Sequence, residues 1–260
     1  MNPKDVMKEL SKKHDSPPVE ALDAALELRS EVAPLMLAEL KGLLATFNAN
    51  LNAPTEKHYS AKMKQALNKP SPLFYGFVLA AEWKQTEAFR PFTELLSWPE
   101  AELPNLLSEE VVSEDVASRI LAQFYDGDPA SLFRLLMDPN AGDSVRFWQW
   151  RTLIRAAINN QIDHDTLRNL VACGFDELPQ ERDTMVWSGW ESVIIYFGFA
   201  DLVPLVERAH AAQRMFRRDM ADFNREWTYA RAHPECPFER DPIEFYRGLE
   251  DELEWAVQAR

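Results

Sequence analysis

The amino-acid sequence predicts an all-α protein, and three observations carry that prediction. Glycine occurs only 8 times in 260 residues, whereas Ala, Leu, Glu and Arg, which lose little on entering a helix, are abundant. No stretch sustains the two-residue alternation of a half-buried strand. Helix start and stop signals recur at nearly every expected end, most completely between Ser113 and Ile162.

In chain order, residues 1–16 are polar and are expected to fray or form a short helix. Pro17-Pro18 then starts a helix that places Val19, Leu22, Ala25 and Leu26 on one face. Ser30 is a candidate cap for the next helix, in which Leu35, Leu37, Leu40, Leu43, Leu44 and Phe47 supply a broad apolar surface. The Asn-rich segment 48–55 reads as a loop, and Pro70-Ser71-Pro72 as a second break. The run LFYGFVLAAEW from Leu73 is apolar nearly all round, as suits a helix buried between neighbours. A helix carrying Phe89, Phe92, Leu95 and Leu96 follows and ends before Trp98-Pro99.

Ser113 then opens a helix with Glu114 and Asp115 in its first turn, and Gly127 supplies a left-handed residue to end it. Asp128 caps the next helix, with Pro129 at its first position, and Asp138-Pro139 closes it. Asp143 or Ser144 opens a third helix running to about Gln161. Asp163 or Asp165 caps a helix ending at Gly174; a long helix from about Gln180 to Phe197 and another from Asp201 to Gln213 follow. Paired helices recurring about every 30 to 45 residues are the signature of an α-solenoid, with an irregular all-α domain as the alternative. The division expected is a polar segment 1–16, a helical-repeat domain 17–213 and a charged, aromatic segment 214–260 that caps the open end of the stack.

The run SEDVASRILAQFYDGDPASLFRLLMDPNAGDSVR, with SWPEAELPNLL before it and PPVEALDAALELRSEVAP near the start, resembles the bacterial family known as domain of unknown function 1186. The resemblance covers most of residues 17–212, and Tyr125-Asp126-Gly127-Asp128 is its most specific part. The segment from Asp138 to Asp143-Ser144-Val145-Arg146 is similar to the inter-helix turn of HEAT-type repeats. The resemblance implies a HEAT-like helical-repeat fold and no established catalytic activity, so it brings no functional residues. Several relatives end in a Cys-rich zinc motif of the SecA-tail type; here Cys236 stands alone. Phe147, Trp148 and Trp150 replace the small residues such repeats favour, which implies looser packing or a specialised surface.

Composition narrows the function. A net charge of −14 disfavours a grip on nucleic-acid phosphates or an anionic membrane, and makes a basic partner the easier fit. The opening residues MNPKDVMKELSKKHD lack an apolar core, no run approaches the roughly 18 apolar residues of a membrane span, and two distant cysteines, Cys173 and Cys236, form no disulfide framework. A cytoplasmic protein is expected.

No triad signature, P-loop or Gly-rich dinucleotide motif is present, so no catalytic residue and no cofactor are assigned. Asp126, Asp128, Asp138 and Asp143 fall in turns and read as helix caps, because a calcium loop starting at Asp126 would meet Ala130 and Met137 at ligand positions. His233 and Cys236 are too few for a zinc site, and Cys236 is expected to be a buried free thiol, so no metal is assigned.

Two binding candidates remain. On the helix from Ser144, Phe147, Trp150, Leu153, Ile154, Ala157 and Ile158 share one arc, while Trp148, Arg151, Thr152, Arg155 and Asn159 fall on the other. A Trp flanked by Arg is the composition of an interface hot spot, so Trp148, Arg151, Arg155 and Asn159 form the first candidate, with cover by another helix as the alternative. Arg208, Arg214, Arg217 and Arg218 form a basic cluster. Arg214, Arg217 and Arg218 are candidates for an anion or acidic segment, unless the acidic residues around them pair with the cluster. The function expected is a non-catalytic protein-binding scaffold, with an acidic immunity protein, inhibitor or chaperone that masks a basic effector, or a metal-dependent hydrolase, as alternatives.

Overall fold

A computed structural model describes the chain except for residues 13, 15, 50–59, 69–70, 100–101, 108–110, 113, 239–241 and 259–260. For 62, 66, 68, 105 and 254–258 it describes the backbone alone. The described residues form helices and no strand; Thr184 and Met215 make an isolated bridge. The fold is all-α.

The N-terminal part holds α1 (Pro3–Leu10), α2 (Val19–Glu27), α3 (Arg29–Asn48) and α4 (Ala61–Asn68). Of the two expectations for residues 1–16 the short helix holds: α1 is capped by Asn2 and buries Val6 and Leu10 against α2 and α3. The polar look of residues 1–16 reflects the solvent side of a short amphipathic helix whose two apolar anchors lie four apart. Ser30 falls inside α3 and is not its cap.

The middle holds α5 (Leu73–Glu82), α6 (Phe89–Leu96), α7 (Val116–Gln123), α8 (Ala130–Met137), α9 (Asp143–Ile158), α10 (His164–Glu177), α11 (Met185–Phe197) and α12 (Val203–Ala211). As the all-round apolar run required, α5 is buried from Leu73 to Ala81. The expected buried face of α6, Phe89, Phe92, Leu95 and Leu96, is also in the core.

The helices pack in two rows. In one row α3 meets α5, then α5 meets α7, α7 meets α9, and α9 meets α11; in the other α6 meets α8 and α8 meets α10. The closest crossing, α9 against α11, depends on Gly189: a Cβ there would stand 2.5 Å from Trp150 Cδ1 and 2.9 Å from the Phe147 carbonyl oxygen. Trp150, Trp187 and Trp190 are fully buried around this crossing.

The turns follow the sequence reading with local shifts. Asp163 caps α10 by accepting from the Thr166 N–H at 2.8 Å. Gly198 ends α11 in the left-handed region, at φ 65°. Gly127 is left-handed too, but α7 has already stopped at Phe124, so Gly127 shapes the loop. Gly174 does not end α10 but lies inside it, and the helix continues to Glu177. Asp128 accepts from the Ala130 N–H at 3.0 Å, whereas Asp143 caps a different helix, accepting from Met185 and Val186 of α11 at 2.6 and 3.1 Å. Asp126 and Asp128 also pair with Arg90. The expected Ser113 cap lies outside the described residues, as does the loop expected over 48–55 from residue 50 on, while Asn48 still belongs to α3.

The last segment holds two helices. Helix α13 (Met220–Ala232), opened by a capping box at Asp219 and Asp222, extends the row by packing on α11. Beyond it the chain turns back. The described residues 233–238 and 242–248 hold no helix and lie over the α11, α9 and α7 side, and α14 (Leu249–Gln258) docks on α5, near the other end of the row. We call these residues the strap. No described helix is long and apolar enough to cross a membrane.

Candidate functional site

Helix α9 sits in the middle of its row and is covered on both arcs. Trp150, Leu153, Ile154 and Ala157 enter the core as the helical wheel requires. On the opposite arc, the candidate binding face whose alternative was cover by another element, three residues are buried as well: Arg155 and Thr152 are 0% exposed and Arg151 5%. The cause is electrostatic. Asp115, at the N-cap of α7, accepts from Arg155 Nη1 at 3.0 Å and from Arg151 Nη1 at 3.1 Å, and Ser118 Oγ takes a further bond from Arg155 Nη1 at 2.8 Å. Burial pushes the Arg155 pKa down and the Asp115 carboxylate pushes it back up, and an arginine so paired keeps its charge.

The remaining donor of Arg155 defines what lies on top of it. Its Nε donates to the main-chain carbonyl of Glu244 at 2.7 Å, so the strap covers the guanidinium. One turn along α7, Arg119 grips Glu252 through Nε at 3.3 Å and Nη2 at 3.0 Å, and reaches Glu244 Oε2 through Nη1 at 3.3 Å. At the end of α5, one oxygen of Glu82 accepts from Tyr246 Oη at 2.8 Å and from the Leu249 N–H at 2.6 Å, placing a carboxylate at the N-terminus of α14. Burial first, then the bond to Glu82, drives the Tyr246 hydroxyl well above its usual pKa, so it stays a donor. Phe238 packs on Tyr196 of α11 with ring centres 5.5 Å apart and lies 5.9 Å from the Arg151 guanidinium. Four consecutive helices of one row therefore hold a single stretch of chain.

Of the four residues predicted on this arc, Trp148 is half-buried with Arg151 5.0 Å above its ring, and Asn159 is exposed at the end of α9. Arg151 and Arg155 are buried, so the four do not form one free surface. Sequence reasoning missed Glu82, Asp115, Arg119 and Glu252. Asp115 had been read only as a first-turn acid, and the others carry no local signal.

The second candidate is dispersed by its neighbours. Arg218 bonds Glu191 at 2.9 Å and Glu226 at 2.7 Å, and Glu191, fully buried, also meets His210 Nε2 at 2.8 Å. Arg214 lies over Phe175 and Trp187, and Arg208 over Phe175. Burial, then repulsion from Arg208, lowers the Arg214 pKa. Arg217 is exposed beside Phe216. An open depression of about 850 Å³ between Arg182, Glu207, His210, Arg217 and Asp222 mixes both signs of charge. A smaller cleft of about 180 Å³ lies between Phe147, Arg151, Ser188, Tyr229 and Phe238, partly roofed by the strap.

His233 faces the Tyr229 carbonyl, and Cys236 is exposed where a buried thiol was expected, because its loop stands off the helix row. Among the described residues, no three His, Cys, Asp or Glu side chains are grouped to hold a metal ion.

No curated protein and no solved structure matches the chain. Comparison with protein families matches residues 1–222 to DUF1186, a protein of unknown function. The match spans α1 to α12 and the helices that carry Glu82, Asp115, Arg119, Arg151 and Arg155, and it stops before the strap. With most of its length inside that match, the chain belongs to the DUF1186 family.

Proposed function

We propose that this protein is a non-catalytic, cytoplasmic scaffold of HEAT-like repeats that binds another protein along the row formed by α5, α7, α9 and α11. The observation that supports this reading is the grip on the strap. The row holds an extended piece of polypeptide by a guanidinium on a main-chain carbonyl, a carboxylate on a main-chain N–H, and arginine on a side-chain carboxylate. Those are groups by which a protein surface recognises a peptide, and a stack of helices offers them over a long span.

The test places a photoreactive phenylalanine analogue at Phe245, which is 38% exposed on the strap, and a control analogue at Val19, 62% exposed on α2. Full-length protein is cross-linked in native lysate at low and moderate salt. A saturable partner joined through position 245 and not through position 19 is expected. Cross-links equal at the two positions, or none above background at either salt, would overturn the scaffold reading.

A further inference from the structure

The open depression of about 850 Å³ beside α12 lies away from the strap, and its size falls in the range of ligand pockets. Its walls come from three places: the loops 182–183 and 213–217, the end of α12, and the start of α13.

The charged groups on these walls are of two kinds. Most are already committed. Asp219 and Asp222 build the capping box of α13, and Asp222 also holds Arg225 at 2.7 Å. Arg218 is held by Glu191 and Glu226, and Asp183 accepts from the Arg217 N–H at 2.9 Å. What remains is Arg182 and Arg217 on the loop wall and Glu207 on α12, all three exposed. Among the described residues Arg182 reaches Gln213 Oε1 at 3.4 Å, Arg217 lies 4.9 Å from the Phe216 ring, and neither they nor Glu207 form an ion pair. Over all the charged residues of the walls, positive and negative nearly balance. A simple anion or cation therefore gains little here, whereas a molecule carrying both charges meets a free group of opposite sign at each end.

The backbone singles out the same place. Among the described residues, five that are not glycine have a left-handed backbone. Lys84, Asn160 and Gln213 stand just beyond the ends of α5, α9 and α12, where that conformation is common. Asp183 and Arg217, at φ 58° and 49°, end no helix, and both lie on the loop wall of the depression, bonded to each other. Bonds from the Asp183 and Thr184 N–H groups to the Gln213 and Arg214 carbonyls, both 3.0 Å, hold the two loops together. Strain of this kind persists where the surrounding structure enforces it, and it gathers at ligand clamps. The floor is fixed as well, since His210 Nε2 meets the fully buried Glu191 at 2.8 Å.

We infer that this depression is a binding site for a small zwitterion, an amino acid or a short peptide with free termini. Its carboxylate meets Arg182 and Arg217, and its ammonium meets Glu207. The site is separate from the row that bears the strap, so its failure leaves the scaffold reading standing.

The experiment uses the full chain with methyl-labelled methionines, because Met215 and Met220 line the depression while Met36 and Met63 are buried in α3 and α4. The probes are alanine, trialanine, N-acetyl-trialanine and trialanine amide; the first two distinguish a free amino acid from a peptide. Saturable shifts of the Met215 and Met220 methyl signals are expected with an unblocked probe, with Met36 and Met63 unmoved. Each capped form should bind about three- to tenfold more weakly than trialanine. Arg182→Gln with Arg217→Gln should abolish the preference for a free carboxylate and keep that for a free amine, and Glu207→Gln should do the reverse. No saturable shift with either unblocked probe, capped forms that bind as well as trialanine, or a preference that survives its matching substitution would overturn the inference. Shifts that spread equally to Met36 and Met63 would overturn it too.

Discussion

Asp115→Ala tests the charge arrangement under the strap most directly. In the native protein the Arg155 side chain is 0% exposed and that of Arg151 7%, and Asp115 is the carboxylate that both reach. Removing it takes the counter-charge from the fully buried Arg155 guanidinium. Breaking a buried pair in this way costs about 3–5 kcal/mol. Arg155 keeps its bonds to Ser118 and Glu244, so the lower end applies, about 3 kcal/mol. In a chain of this length each kcal/mol lowers the melting temperature by about 2–4 °C, so a fall of about 6–12 °C is expected. Replacing both partners, Asp115→Leu with Arg155→Met, removes the charge along with its counter-charge and should recover at least about 1 kcal/mol relative to the sum of the single changes. Urea titrations followed by circular dichroism and tryptophan fluorescence measure Asp115→Ala, the two single changes and the double variant. A loss under 1 kcal/mol for Asp115→Ala, or strict additivity in the double variant, would refute the reasoning.

Gly189→Ala should be destabilising by about 1–3 kcal/mol despite the better helix propensity of Ala, because the new methyl meets Trp150 and the Phe147 carbonyl at the α9–α11 crossing; an unchanged or raised melting temperature would show that the helices can part. Asp143→Ala removes the cap of α11 and is expected to lose about 1–2 kcal/mol in the same urea assay, with the first turn of α11 exchanging its amide protons faster. Acid should weaken the fold through Asp163, Asp201 and Asp222, held below the usual carboxylate range by Thr166, Arg168 and Arg225 respectively. Their folded pKa values lie below the unfolded ones, so the stability they add is complete above about pH 4 and is lost as pH falls through the folded values. Melting temperatures between pH 5 and 2 check this, and Asp163→Asn should flatten the curve; an unaltered slope would remove Asp163 from the account.

Helix identity was legible in the sequence because it is written locally. The apolar run of α5, the four anchors of α6, the Asp163 cap and the end of α11 at Phe197 each depend on neighbours within a turn or two, and each appears where expected. Helix α9 shows where that legibility ends. Its wheel sorts Arg151 and Arg155 to a polar arc correctly, but whether a polar arc meets solvent is decided by what folds over it. The cover comes from Glu244, 89 residues away, and from Asp115, 40 residues back. Asp115 and Ser118 resemble ordinary first-turn residues of any helix, and nothing in their spacing announces that they complete the bonds of a distant arginine. Asp143 misleads in the same way, since a residue one position from a helix start looks like that helix's cap while its carboxylate serves another.

The strap also bears on how the molecule comes apart. In a row where each helix leans only on the next, the ends unravel independently, and unfolding spreads step by step along the line. By fastening the N-terminus of α14 to Glu82 and Glu252 to Arg119, the chain joins its far end to a helix near the beginning and turns the line into a loop. Fraying at α13 then draws on contacts at α5 and α7 as well, so the two halves melt as one cooperative unit for as long as the strap stays in place.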